Sequence, residues 1–175
     1  QTEANRILAE PRSPEERKRL TLAANQAVRG QRIPMERLCR RAKTREQRQL
    51  GVSPGEILLR GWLRDRGFES LPQKAIGPYN ADLAVDSVAV EIFGGGWHAS
   101  GRHARRAPDR FRYFFDHGWS LVVIWVDGRS HSLTEDAADY VISFLKEPRR
   151  KPAGRRQYRV IWGDGQDMTA CCRKI

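Results

Sequence analysis

Asp82 and Glu91 stand in neighbouring apolar runs, and a histidine-bearing segment follows them. Asp82 lies in Tyr79-Asn-Ala-Asp-Leu-Ala-Val85 and Glu91 in Val88-Ala-Val-Glu-Ile-Phe93. Gly94, Gly95 and Gly96 then lead to Trp97-His98, His103 and Asp109. Carboxylate oxygens are ligands for a hard divalent cation, and a neutral imidazole is a base at physiological pH. Phosphodiester hydrolysis needs these groups: a cation to offset the phosphate charge, an activated water, and help for the leaving oxygen. An Asp is disfavoured in a strand, so Asp82 reads as a ligand. Glu91 is equally readable as a ligand or as an acid at a strand edge. Either His98 or His103 can serve as the base. Asp109 either orients a histidine or favours a helix start through the dipole.

Regular elements must hold these residues in place. Three strands are expected at 69–76, 79–85 and 88–93, the first pair turned by Gly77-Pro78 and the second by Asp86-Ser87. Residues 94–107 read as irregular and polar. Pro108-Asp109 reads as the opening of a helix that runs through Phe111, Phe114 and Phe115 to Gly118. Trp119–Val126 is a buried strand, and a helix carrying Ala137, Tyr140, Val141, Phe144 and Leu145 inward follows it. Tyr158–Trp162 adds an edge strand. Upstream, Ser53-Pro54-Gly55-Glu56 caps a helix whose apolar face is Leu58, Leu59, Trp62 and Leu63. Glu56 shares that inward side. It is either paired or metal-bound there, or it is a first-turn acid favoured by the dipole. The sum is an α/β fold, a three-layer sandwich around a mixed β-sheet with a helical basic N-terminal arm.

Charge is unevenly distributed along the chain, whose formal net charge is +11. Lys and Arg outnumber Asp and Glu by 13 to 6 in residues 1–53 and by 8 to 2 in 148–175, whereas 54–147 holds 11 against 13. A near-neutral core between basic arms predicts three parts: a helical DNA-binding arm at 1–52, a core at 53–147 and a basic extension at 148–175. Clustered Lys and Arg are rewarded by phosphate neutralisation, so double-stranded DNA is the natural partner. The alternative is that the basic runs are solvated faces. The arm holds two short helices, starting at Ser13-Pro14 and near Pro34. The second carries Met35, Leu38, Cys39 and Ala42 on one face and Arg37, Arg40 and Arg41 on the remainder. It either lies on DNA or packs as a collar on the core. Arg102, Arg105, Arg106, Arg149 and Arg150 extend the expected phosphate contacts, and Trp97 either wedges between bases or packs on the sheet.

Cys39, Cys171 and Cys172 form no disulfide framework and no metal-ligand spacing, which fits a reducing cytoplasmic setting. No run of 18 apolar residues and no signal-peptide pattern is present, so no membrane partner is expected. An opening Gln1 reads as a fragment or a processed chain, which leaves open whether a separate domain precedes it.

The core resembles the very-short-patch-repair endonuclease branch of the PD-(D/E)XK nucleases, and most of all the EDxHD homing endonucleases of phage type. The resemblance rests on an acid on the first core helix, Asp on the second strand, a strand leading to Gly-Trp-His, Asp before the next helix, and Gly118-Trp-Ser-Leu-Val-Val-Ile-Trp125. It implies a Mg²⁺- or Mn²⁺-dependent DNA endonuclease. Glu56 and Asp82 are then metal-site acids, joined by Glu91. His98 is the catalytic histidine and Asp109 the closing acid. Cutting both strands implies two sites, hence a homodimer on DNA. The superfamily's lysine position is Phe93 here, which leaves the water to His98. No Cys/His zinc site matches that of the repair enzymes, which favours homing over a repair or defence nickase. A non-catalytic DNA-binding module on the same fold is the remaining alternative.

Overall fold

The computed structural model describes residues 13–94, 101–128, 130–147 and 158–169, with backbone alone for 101–106. Two compact units divide the chain, residues 1–34 and 35–175. The first contains α1 (Pro14–Val28), N-capped by the Ser13 hydroxyl on the Glu16 N–H, with no buried residue along it.

The second unit is mixed α/β. Its sheet has five strands in the order β1 (Leu71–Ile76), β2 (Tyr79–Val85), β3 (Val88–Gly94), β4 (Ser120–Val126) and β5 (Tyr158–Trp162). The first three are antiparallel neighbours, joined by the two short turns; β4 lies parallel to β3, and β5 parallel to β4. β3 and β4 are buried on both faces and, Glu91 apart, apolar through their buried stretch, as suits the inner strands of a doubly covered sheet. On one face Leu59 and Leu63 of α3 (Pro54–Asp65) and Ala137, Val141 and Phe144 of α5 (Glu135–Lys146) bury Leu83, Val90, Val122 and Ile124. On the other, Phe111 and Phe114 of α4 (Gly101–Asp116) bury Ala89, Phe93, Leu121 and Val123. Each fully buried Leu, Val, Ile or Phe among them is worth roughly 1.5–3 kcal/mol in transfer from water.

One feature differs from the sequence expectation, and a second bears on a point that the sequence left open. The helix expected to open at Pro108 begins at Gly101, so the segment 94–107 is helical over its second half and Pro108 lies inside α4. Proline is common at the first helical position, which makes Pro108-Asp109 look like a start. Arg and Ala in the preceding turns favour helix and extend it backwards. Asp109 therefore occupies mid-helix rather than a first turn.

The second feature is α2 (Met35–Arg48), which joins the sheet's compact unit and packs on β1 and β2. Ala42 is buried, and its carbonyl accepts the Asn80 Nδ2 amide at 2.9 Å. Glu46 accepts the Ala75 N–H at 2.8 Å and the Lys74 ammonium at 3.3 Å. Burial alone would push the Glu46 carboxyl up; these donors, with Lys43, hold it below the usual range. α2 thus packs on the core and keeps Arg37, Arg40 and Arg41 exposed.

Truncation separates the two units. Removing residues 1–34 is expected to leave the thermal midpoint of the rest within a degree or two. Removing residues 1–50 strips part-buried hydrogen bonds worth about 1 kcal/mol each together with Ala42, and is expected to lower the midpoint by roughly 5–10 °C. Equal midpoints for the two truncations, by calorimetry, would show that α2 adds nothing to the fold.

Candidate functional site

β2 and β3 run as a regular ladder only from Val85↔Val88 to Leu83↔Val90. Beyond that point each strand offers a side chain in place of a backbone partner. Asp82 Oδ2 accepts the Ile92 N–H at 2.8 Å, and the Glu91 carboxylate takes a backbone hydrogen bond from Asp82. The two acids are thus fixed side by side where the strands part. On the other side of β2, Gln73 lies opposite Asp82, between the pairs Pro72↔Leu83 and Lys74↔Ala81. Gln73 has φ +52°, the left-handed region that a non-glycine residue adopts only under constraint.

Glu56 joins them from α3. It is buried, and both its oxygens are engaged: Oε1 accepts the Ser53 N–H at 3.0 Å in a capping box, and Oε2 accepts Gln73 Nε2 at 2.8 Å. Its helix-capping role is therefore real, and its charge still acts on Asp82 and Glu91. Opposing charge comes from Arg110 of α4, whose Nη2 donates to Glu91 Oε1 and to the Asn80 carbonyl. The Arg110 guanidinium also lies over the Phe114 ring, 5.5 Å from its centroid.

Burial pushes the Asp82 carboxyl up to about 6, against the Ile92 N–H and the charge of Arg110, while Glu56 adds to the rise. Burial likewise raises Glu91 well above the ordinary glutamate range. Arg110 opposes that shift and Asp82 reinforces it. Three acids with one paired arginine leave an excess of negative charge out of water. Charge of that kind is relieved by a bound cation or by a proton.

Asp82 and Arg110 open into a cleft of about 440 Å³ bounded by Arg45, Gln73, Tyr79 and Asn80. Phe93, two residues after Glu91, turns its ring into the core against Phe111 and Trp125. Among the described residues no three of His, Cys, Asp and Glu converge tightly enough to enclose a metal ion. An all-protein cage is not what Mg²⁺ requires. It is commonly held by one or two carboxylates, with water and phosphate oxygens completing the shell. Asp82 and Glu91 supply hard oxygen donors, and Arg110, paired to Glu91, offsets only part of the charge of the three acids; in that sense the donor set fits such an ion.

Of the residues singled out from sequence, Glu56, Asp82 and Glu91 come together. Asp109 is exposed on α4, and no bond ties it to these acids among the described residues. Arg37, Arg40 and Arg41 are exposed on α2, with Arg40 paired to Glu36 at 2.8 Å. His103, Arg102, Arg105 and Arg106 have backbone on α4, their side chains lying outside the described residues; Trp97, His98, Arg149 and Arg150 lie wholly outside them. Sequence reasoning missed Gln73, Arg110 and Arg45. Arg110 carried a signal: it precedes Phe114 by four residues, so it shares the buried face of a helix.

No family model matches this chain, and comparison with characterised proteins and with solved structures also finds no match.

A carboxyl raised by folding favours its neutral form. Its contribution to stability is present at low pH and is lost as pH rises from about 4 through about 6. Asp82→Asn, which keeps an acceptor for the Ile92 N–H, is expected to be more stable than the parent at pH 7 by roughly 2–3 kcal/mol. The gap should close near pH 4. Urea unfolding at both pH values checks this, and an Asn variant less stable than the parent at pH 7 would rule it out.

Proposed function

We propose that this protein is a metal-dependent endonuclease that hydrolyses phosphodiester bonds in double-stranded DNA, built on a restriction-endonuclease-like core and of homing type. One observation carries the reading: acids from three elements, Glu56, Asp82 and Glu91, meet where two strands part, beside an open cleft. Buried, mutually repelling carboxylates with raised pKa beside a cleft mark a functional site. The resemblance of the core to EDxHD endonucleases supports the same conclusion.

Asp82 and Glu91 would hold a Mg²⁺ or Mn²⁺ ion, which when bound offsets charge on the reacting phosphate. Glu56 adds negative charge from behind and fixes Gln73. Arg110 keeps Glu91 in place and limits the repulsion between the acids. Arginine remains protonated and accepts no proton, so the base must be another group. His98 fills that role in the resemblance, with Asp109 as its partner and His103 as the second candidate. Two copies on one duplex would cut both strands.

A second reading has its own support. Phe93 leaves the strand without a lysine, and no three-ligand metal group occurs among the described residues. Both suit a DNA-binding module without catalysis.

Supercoiled plasmid separates the two. With Mg²⁺ the protein is expected to nick or linearise it, with EDTA to leave it intact, and Asp82→Ala to abolish cutting while retaining DNA binding. His98→Ala should slow cutting by roughly 10²–10⁴, the usual cost of a lost general base. Binding without cutting in Mg²⁺ and in Mn²⁺ would establish the module instead.

A further inference from the structure

Arg45 belongs to no role described so far, yet its surroundings are specific. Its Nε donates to the Leu50 carbonyl at 2.9 Å, which directs the guanidinium back across the end of α2. There it lies against Gly51, where an added Cβ would come within 2.5 Å of Arg45 Nη2. Gly51 has φ +78°, so the turn after α2 both requires a glycine and leaves room for the guanidinium. Its side chain is exposed, and among the described residues its two terminal nitrogens have no hydrogen-bond partner.

Two cavities meet at this side chain. One is a groove of about 750 Å³ along α2, walled by Arg37, Arg40, Arg41 and Arg45 and by Pro78 and Asn80. The other is the carboxylate cleft, which shares Arg45, Pro78 and Asn80 with it. Arg37, Arg41 and Arg45 recur every four residues and so form one stripe along the helix. That stripe runs from open surface to the acids, and Arg45 is its inner end. A guanidinium with its terminal N–H groups open matches the oxygens of a phosphodiester.

We propose that Arg45 is a substrate-binding residue: held by Leu50 against Gly51, it takes the DNA phosphate lying between the arginine-lined groove and the Asp82–Glu91 carboxylates. The role rests on the nuclease reading for its substrate. It sets the track of the strand as well. Phosphates follow Arg37, Arg41 and Arg45 in turn and enter the cleft at Asn80.

Fluorescence anisotropy with the full chain and a labelled 25-base-pair duplex, in EDTA and over a range of NaCl, tests this without cleavage. Arg45→Ala should weaken binding roughly five- to tenfold and flatten the slope of log K against log salt by about 0.9, one phosphate contact. Gly51→Ala leaves the net charge unchanged but displaces the guanidinium, and should reproduce the loss of affinity. Arg64→Ala, which removes an exposed charge at the far end of α3, should change neither affinity nor slope. Circular dichroism confirms that each variant is folded. Affinity for Arg45→Ala equal to that of Arg64→Ala overturns the proposal, and unchanged affinity for Gly51→Ala overturns the held orientation. Plasmid cutting in Mg²⁺ by the parent chain is read separately. Cutting with unchanged Arg45→Ala binding removes the Arg45 role alone. Absence of cutting with the expected binding losses removes the nuclease reading and supports Arg45 as a phosphate ligand.

Discussion

The site depends on the place where β2 and β3 stop pairing. An antiparallel ladder supplies each backbone N–H with a carbonyl on the neighbouring strand, and an unpaired buried N–H is costly. Past Leu83↔Val90 the two carboxylates take over that duty, Asp82 for Ile92 and Glu91 for Asp82. The exchange keeps the backbone satisfied and brings two acids together out of water. Removing either acid would free a backbone donor as well as a charge. The site and the end of the sheet are therefore one structure.

That arrangement dictates what must surround it. Two buried carboxylates need an opposing charge from nearby, and α4 supplies it through Arg110. Arg110 reaches them only because Phe111 and Phe114 anchor α4 on the sheet face that carries Ala89 and Leu121. The Tyr113 ring packs so closely on the β1–β2 turn that a Cβ at Gly77 would overlap it. On the other side of β2, α2 is held by Glu46 and Ala42, turning its arginines outward along the approach to the cleft. Acids face inward and arginines outward across a few residues of β2. A basic outer surface and an acidic inner one therefore lie within a few residues of each other.

The strands were legible because their signals are local. Apolar runs broken by Gly77-Pro78 and Asp86-Ser87 fix both hairpins, and Leu121–Ile124 is too apolar for anything but a covered strand. Mixed sheet order followed from the long helical connection between β3 and β4. The convergence of Asp82 with Glu91 was legible in part, since a short hairpin brings residues nine apart in sequence side by side. The backbone of Gln73 was not, because a left-handed glutamine is imposed by the packing around it. The start of α4 was obscured by a proline that mimics a first helical position. Arg110 and Arg45 were hidden among many arginines. What distinguishes them is the acceptor each one meets, and only the tertiary structure supplies that.

Phe93 gives the charge pattern its chemical meaning. A lysine two residues after Glu91 would place a titratable ammonium beside the acids; a phenyl ring packed on Phe111 and Trp125 cannot. Cations at this site come instead from Arg110 and Arg45, on two different helices. Guanidinium groups neutralise and orient, but they stay protonated throughout the physiological range and can take no proton from water. The fold thus divides two tasks that one lysine could combine. Positive charge is supplied permanently by the helices, and on the nuclease reading proton transfer would fall to a group that titrates near neutrality. Asp82, raised to about 6, titrates close to that range, but a carboxylate committed to a cation is a poor base. On the nuclease reading an imidazole is the remaining choice, and the sequence offers two just beyond the end of β3, His98 and His103.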